Sequence, residues 1–497
     1  MVKMLASKLI ESLKFKKVEP ASYGDFEVSA VTQDTREVSQ NSVFIAIVGS
    51  QIDGHTLVAE AVKKGAAMII AQKKVDCDNV PVVYVENTNR AMAILSDCFY
   101  DSPSKAMRMI GVTGTNGKTT VTHIIEEIFR EQGEKTGLIG TMYRRIGDKI
   151  FPTKNTTPDI ITLQRTLSKM HKQDVSSVAM EVSSIALVQG RVWGIDFDIA
   201  VFTNLTRDHL DYHKTMANYA HAKSLLFSQL GNEYGFKKNS KVAILNIDDP
   251  MGRKLEEDTS APVLTYGIKH EAMIKASNVV IHSQGTDFDL SVFDQKQHLK
   301  VKMVGLFNVY NILASFAAAY AAGLDPSKII SVLSSFKGVK GRLQLIPSSS
   351  GVSAIVDYSH TPDGLLNALE TINDFAKGKV FCIIGCGGDR DHGKRPKMAQ
   401  IALQYSDYPI FTSDNPRSED PQKIVDDMLQ GISQNSSVKV IIDRRKAIEY
   451  AINKAQSGDI VLIAGKGHED YQIIKGKKNH FDDVEEAERA FKKRGAV

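Results

Sequence analysis

The stretch Gly111-Val112-Thr113-Gly114-Thr115-Asn116-Gly117-Lys118-Thr119-Thr120 restricts what this chain can fold into more than any other. Residues 107–112 just ahead of it are mostly apolar, which suits a short buried strand. Behind it, Val121, Ile124, Ile125, Ile128 and Phe129 recur at the spacing of one helix face. Strand, glycine-rich turn and helix make the setting in which G-x-x-x-x-x-G-K-T, with Gly114 inside it, becomes a phosphate cradle. Backbone N–H groups and the helix N-terminus point at anionic oxygens, Lys118 reaches the outer phosphates, and the Thr119 hydroxyl can hold Mg²⁺. The chain is therefore expected to bind ATP or a related nucleotide.

At 497 residues the chain is too long for one core, and at roughly 100–200 residues per domain about three are expected. Its 62 basic and 58 acidic residues leave a net charge of +4, too little for a nucleic-acid footprint. Anionic ligands must then be met by local lysines and arginines. Cys77, Cys98, Cys382 and Cys386 are scattered and suit a reducing cytoplasm; with no second pair they form no zinc set. Residues 1–15 read as a short amphipathic helix and not a signal peptide. The most apolar run, 312–324, is too short to span a bilayer. Neither nucleic acid nor a membrane is an expected partner.

Read in order, the chain is α/β throughout. Residues 1–105 alternate short strands and helices, as a small α/β domain does. Asp34-Thr35-Arg36 and Asp53-Gly54-His55 lie in its loops, and taken alone Asp34 and Arg36 suggest only a surface ion pair. Residues 106–338 hold the phosphate loop. They also hold a polar loop, Asn155-Thr156-Thr157-Pro158-Asp159, and strands 177–180 and 199–202. Those strands end in Glu181-Val182-Ser183-Ser184 and in Thr203-Asn204, the latter followed by Asp208-His209-Leu210-Asp211. Ligands of open α/β sheets sit outside the carboxyl ends of strands, so these groups are expected to converge on one Mg²⁺-nucleotide crevice. From 339 a doubly wound, Rossmann-like unit follows, with strands at 354–356, 380–384, 409–412, 438–442 and 460–464. Polar loops after four of them (357–360, 385–391, 414–417 and 465–469) predict a second substrate site.

Taken together, Gly114 to Thr119, Glu181 to Ser184, Asp208 to Asp211 and Gly305 to Asn311 resemble the Mur ligases, ATP-dependent amide-forming enzymes of peptidoglycan synthesis. Asn155 to Pro158, Gly387-Gly388-Asp389-Arg390-Asp391, Asp414-Asn415-Pro416-Arg417 and Gly465 to Glu469 narrow the resemblance to the tripeptide-forming branch, away from folylpolyglutamate synthase. The resemblance implies three domains: 1–105 binding a UDP-linked substrate, 106–338 the P-loop ligase core, and 339–497 binding an amino acid. It implies that Asp34, Thr35, Arg36, Asp53, Gly54 and His55 hold the UDP end of a muramyl dipeptide. Asn155, Thr156, Thr157, Ser183, Ser184, Gln189 and Arg191 would hold its peptide part. Gly114 to Thr120 with Asn308, Arg342 and Asp357 would hold ATP. Thr119 and Glu181 would bind one Mg²⁺, and His209 with Lys223 a second, Lys223 being carbamylated as in the family. Arg390, Asp414, Asn415, Arg417, Gly465 and Glu469 would meet the incoming amino acid.

The implied reaction is acyl-phosphate formation on the dipeptide carboxylate followed by attack of an amine, in the cytoplasm, by a monomer. Arg417 favours meso-diaminopimelate over L-lysine, because a distal carboxylate calls for a planar, permanently charged fork. The sequence departs from the family pattern at Ile185, where His is usual, at Thr35, where Ser is common, and at Gln344, where Glu is common.

Overall fold

The computed structural model describes residues 4–49, 52–77, 80–232, 240–282, 285–293, 295–433 and 437–495. Two compact units emerge, Met1–Tyr266 with Ala314–Pro326, and Gly267–Leu313 with Ser327–Val497. The first opens with a two-residue strand, Met4–Leu5, and a short helix, Ala6–Glu11, not the longer helix expected for 1–15; Met1 to Lys3 lie outside the described residues. Residue 5 turns extended before the helix and Phe15 stays exposed, so the leucine–lysine alternation serves a strand and one helical turn.

A five-stranded sheet follows in the order Lys17–Glu19, Val82–Tyr84, Ala66–Ala71, Ser42–Ile45, Ala30–Thr32, parallel except at the first strand. The larger sheet of this unit has Arg108–Thr113 at its centre. Ser177–Glu181 and then Thr136–Ile139 lie on one side, and Ile199–Phe202, Val242–Asn246 and Val263–Gly267 on the other, all parallel. From Arg108–Thr113 the chain runs first to one side and then to the other. The carboxyl end of that strand is thus a topological switch point, where such sheets bind ligands. The helix Lys118–Glu131 leaves from it with Val121, Ile124, Ile125, Ile128 and Phe129 buried, the face its spacing predicts.

The second unit holds an antiparallel meander, Ile274–His282, Gly285–Val292 and Gln295–Val301. Its main sheet has six strands in the order Gln344–Pro347, Ser353–Asp357, Ile460–Ala464, Val380–Ile384, Tyr408–Phe411, Lys439–Val440, parallel after the first pair. Side chains alternate across it. Cys382, Ile384 and Leu462 pack with Leu369, Met398 and Val425 on one face, and Phe381, Ile383 and Val461 pack with Ile448, Ile452 and Ala487 on the other. The last inner strand, Ile460–Ala464, inserts between the first two parallel strands. The loops after residues 357, 384 and 464 therefore end at one edge. The strand expected at 438–442 shortens to Lys439–Val440, an edge position with a single neighbour.

Candidate active site

In the first unit the phosphate loop is held rigidly from beneath. Gly114 sits at φ +151° and Gly117 at +86°, and a Cβ on Gly114 would overlap the Thr203 hydroxyl. Asn204, just past Ile199–Phe202, accepts from the Asn116 amide at its side-chain oxygen (2.9 Å) and from the Thr115 amide at its carbonyl (2.8 Å). Thr203 donates to the Asn116 carbonyl at 2.6 Å. These two loop amides are thus engaged. The ones left for an anion open the helix Lys118–Glu131, whose first turn has no side-chain cap.

Glu181 ends the neighbouring strand, buried. Its Oε2 accepts from Thr119 Oγ1 (3.0 Å) and Thr141 Oγ1 (3.0 Å), and its Oε1 from the Thr141 amide (2.8 Å). Thr141 Oγ1 lies 3.0 Å from Thr156 Oγ1. Thr157 donates to the Glu181 carbonyl (2.9 Å) and accepts from the Ser183 amide (3.0 Å). Arg191 donates to the Thr157 carbonyl (2.9 Å) and to Gln189 (2.7 Å), and burial holds its guanidinium below its ordinary pKa. Five of the expected substrate residues, Thr156, Thr157, Ser183, Gln189 and Arg191, are thereby linked by hydrogen bonds to one another or to Thr141 and the Glu181 main chain. Ser184 instead pairs with His213 Nε2 at 2.9 Å, and Asn155 lies in an exposed loop where its carbonyl accepts from Thr153.

Lys118 donates to the carbonyls of Gly114 and Thr115, both at 2.8 Å. Lys223, 1% exposed, donates to the same Gly114 carbonyl at 2.7 Å, and its ammonium lies 4.5 Å from the Tyr219 ring centre. Burial, then the charge of Lys118, push the Lys223 amine well below its ordinary pKa, with Asp208 opposing. His209 adopts a left-handed backbone (φ +52°) at the start of Leu210–His213. It is half exposed, 3.6 Å from Asp208 and 6.1 Å, ring to ring, from Tyr219.

The expected residues of the first 105 cluster locally. Asp34 caps the 3-10 turn Thr35–Glu37 and binds the Arg36 guanidinium at 2.9 and 2.6 Å, which holds its carboxyl down to about 2. Asp53 pairs with Lys73 and with His55 Nδ1 (2.6 Å), and both hold its carboxyl low. His55 Nε2 accepts from the Gln72 amide (3.1 Å), so both ring nitrogens are spent on the fold.

In the second unit Asn308 donates to the Val304 carbonyl (2.9 Å) and accepts from Asn311 (3.0 Å). Arg342 stacks 4.7 Å from the Tyr358 ring centre, and its buried Nε has no partner among the described residues. Asp357 accepts from the Leu343 amide (2.8 Å) and from the amide (2.9 Å) and hydroxyl of Ser359. At the strand-end edge Asn415 donates to Glu469 Oε2 (2.8 Å), and Asp414 accepts from the Asn415 amide (2.6 Å). A Cβ on Gly465 would approach Asp414 Oδ2 at 2.7 Å. Arg417 (φ +52°) donates to the Gly388 carbonyl at 2.6 Å and, among the described residues, pairs with no carboxylate. The neighbours that could have neutralised it are otherwise occupied: Glu419 holds buried Arg395 (2.9 Å), and Asp420 caps the helix Pro421–Leu429. Arg390 contacts the carbonyl of Asp389.

Sequence reasoning passed over Thr141 and Arg395, and placed Asn204 and Lys466 in strand-end loops without giving either a role of its own. Thr141 and Asn204 follow parallel strands closely, so the strand-end rule that found Glu181 reaches them too. Lys466 stands in the same relation to Ile460–Ala464, but Arg395 left no such signal, since in a sequence arginine stands for solvent-facing charge.

For Mg²⁺ the donors are suitable on one side only. Glu181 and the Thr119 hydroxyl are oxygen ligands, and Mg²⁺ needs few from protein. An ammonium on Lys223 repels a cation, whereas a carbamate there would offer oxygens.

Residues 27–100 match the Mur ligase family catalytic domain, 112–319 the Mur ligase middle domain, and 341–467 the Mur ligase glutamate ligase domain. The chain belongs to the Mur ligase family. It is 63% identical over 487 residues, 98% of either chain, to UDP-N-acetylmuramoyl-L-alanyl-D-glutamate--2,6-diaminopimelate ligase of Lactiplantibacillus plantarum. To the identically named protein of Listeria monocytogenes it is 53% identical over 468 residues, 94% of this chain and 95% of that one. A solved structure bearing that ligase's name superposes with a TM-score of 0.72 at 33% identity, covering 99% of both chains. MurF from Thermotoga maritima in complex with ADP shares the fold, with a TM-score of 0.62 at 20% identity over 94% of this chain and 97% of that one.

Proposed function

We propose that this chain is the ADP-forming ligase that joins meso-diaminopimelate to UDP-N-acetylmuramoyl-L-alanyl-D-glutamate in peptidoglycan precursor synthesis. The observation that carries the reading is identity of 50–63% along nearly the whole chain to relatives named for that reaction. The chemistry fits. A carboxylate resists attack by an amine until its oxygen becomes a leaving group, so ATP first converts it to an acyl phosphate, and the amine then displaces phosphate. Lys118 and the helix-opening amides offset charge on the transferring phosphoryl group. Thr119 and Glu181 would hold one Mg²⁺, and His209 with a carbamylated Lys223 the other; bound there, Mg²⁺ neutralises phosphate oxygens. The lowered pKa of Lys223 supports the carbamate, because only a neutral amine attacks CO₂. Arg417, with no carboxylate partner of its own, would receive the distal carboxylate of the acceptor.

In this reading 1–105 holds the UDP end through Asp34, Thr35 and Arg36, 106–338 activates the carboxylate, and 339–497 delivers the amine. The protein would act as a monomer in the cytoplasm, where scattered thiols stay reduced. Incubation with ATP, Mg²⁺, the UDP-linked dipeptide and either meso-diaminopimelate or L-lysine, with mass detection, tests it. The expected product is the diaminopimelate tripeptide with ADP and phosphate. ADP formation without any amide product would defeat the proposal.

A further inference from the structure

We infer that Lys466 is a positioning residue for the acceptor, holding Glu469 so that one carboxylate oxygen stays open to the distal ammonium of a diamino acid. The inference rests on the reaction proposed above.

Lys466 follows the strand Ile460–Ala464 and is 0% exposed. A lysine taken fully out of water costs stability unless its charge is met. Here it is met by two groups of the expected acceptor site. Its Nζ donates to Glu469 Oε2 at 3.2 Å and to Asn415 Oδ1 at 3.3 Å. Asn415 Oδ1 also accepts from the Ile473 amide at 2.9 Å. With two donors on that oxygen, the amide nitrogen of Asn415 must face the other way, and it donates to Glu469 Oε2 at 2.8 Å.

Glu469 Oε2 therefore takes two donors, while Oε1 takes none among the described residues. A carboxylate has lone pairs for about four donors, so half of its capacity is unspent. The side chain retains 15% exposure, enough for a ligand to reach it. The complement of an oriented, half-satisfied carboxylate is an ammonium group. A second clamp fixes the same loop: the Arg417 amide donates to the Ile473 carbonyl (2.9 Å), and the Lys475 amide to the Arg417 carbonyl (2.7 Å). The segment 471–475 thus ties Asn415, Arg417 and Glu469 into one frame, with the Lys466 charge at its centre. Without that charge, Glu469 loses one of its two donors and the cation beside its carboxylate.

The test uses the full-length protein and two acceptors, meso-diaminopimelate and 2-aminopimelate, which lacks only the distal amine. Wild type is expected to favour diaminopimelate in kcat/KM. Lys466→Met should reduce that preference by roughly tenfold, chiefly through KM for diaminopimelate, with KM for ATP unchanged. Glu469→Gln should reduce it similarly, and the double variant should add little, because both act through one carboxylate. A merely structural lysine would lower turnover with both acceptors alike. Lys466→Gln keeps a donor without the charge, and replaces the methionine variant if that one fails to fold. An unchanged preference in whichever variant folds overturns the inference alone. Wild type that joins neither acceptor overturns the proposed reaction, and this inference with it.

Discussion

Lys118 and Lys223 both direct their ammonium groups at the Gly114 carbonyl, 2.8 and 2.7 Å away. Two like charges on one oxygen repel, and the buried member, Lys223, is the one forced toward its neutral form. The two lysines therefore serve different ends. Lys118→Ala removes the charge proposed to meet phosphate and two hydrogen bonds to carbonyls. Turnover should fall by about 10³-fold or more, with the thermal midpoint moving little. Wild-type turnover in that variant would contradict the catalytic role. Lys223→Ala removes the buried amine proposed to become a carbamate. It should be nearly inactive and partly restored by a short-chain carboxylate added to the assay. Full activity of the alanine variant in carbonate-depleted buffer would show that no carbamate is needed.

Among the elements, the turn 339–342 and the loop 465–469 lock together through glycine. Gly341 (φ +66°) and Gly467 (φ +53°) meet backbone to backbone, and a Cβ on Gly341 would overlap the Gly467 carbonyl carbon and the His468 amide. Gly341→Ala should cost roughly 3 kcal/mol or more, read as a lowered denaturant midpoint, because neither strand of backbone can yield. His468 sits on the same loop, 4.9 Å from the Tyr358 ring centre. Burial first, then the charges of Arg342 and Lys340, hold its imidazole down at about 4, against an ordinary 6.5. The unfolded chain takes up that proton below 6.5 while the folded chain resists it. This contribution to stability is thus complete above 6.5 and drains away as pH falls toward 4. It amounts to roughly 2 kcal/mol once the ring's partial exposure is allowed for. His468→Gln should flatten the loss of stability over that window, and an identical pH profile would refute the assignment.

Elements buried on both faces were legible in the sequence: Ile199–Phe202, Val380–Ile384 and Ile460–Ala464 fall where apolar runs place them. The hairpin Tyr471–Ile474 with Lys477–His480 left no apolar alternation to read, since its second strand is fully exposed. Motif residues such as Thr119 and Glu181 met as strand-end logic requires, whereas the buried charge of Arg395 is met by partners distant in sequence, and that of Lys466 by one near, Glu469, and one distant, Asn415.

For the whole molecule, the acceptor decides what the product becomes. Arg417 contributes a guanidinium with no carboxylate partner, and Glu469 a carboxylate with spare capacity. Such a site is expected to prefer meso-diaminopimelate to L-lysine by ~10⁴ in kcat/KM, since lysine offers the arginine no distal carboxylate. Arg417→Ala should erase most of that preference, and comparable values for the two amino acids in wild type would refute the assignment. The division of the chain has a consequence for its birth on the ribosome. The first unit draws its final piece, Ala314–Pro326, from beyond the opening segment of the second, Gly267–Leu313, and Ser315 within that piece reaches the Val121 carbonyl at 3.4 Å. Synthesis from Tyr266 to Pro326 spans about 60 residues, roughly 3–12 s at ordinary elongation rates. Through that interval the nascent first unit lacks a buried segment, and stalled chains ending near 266 should be cut by protease where chains released past 326 resist.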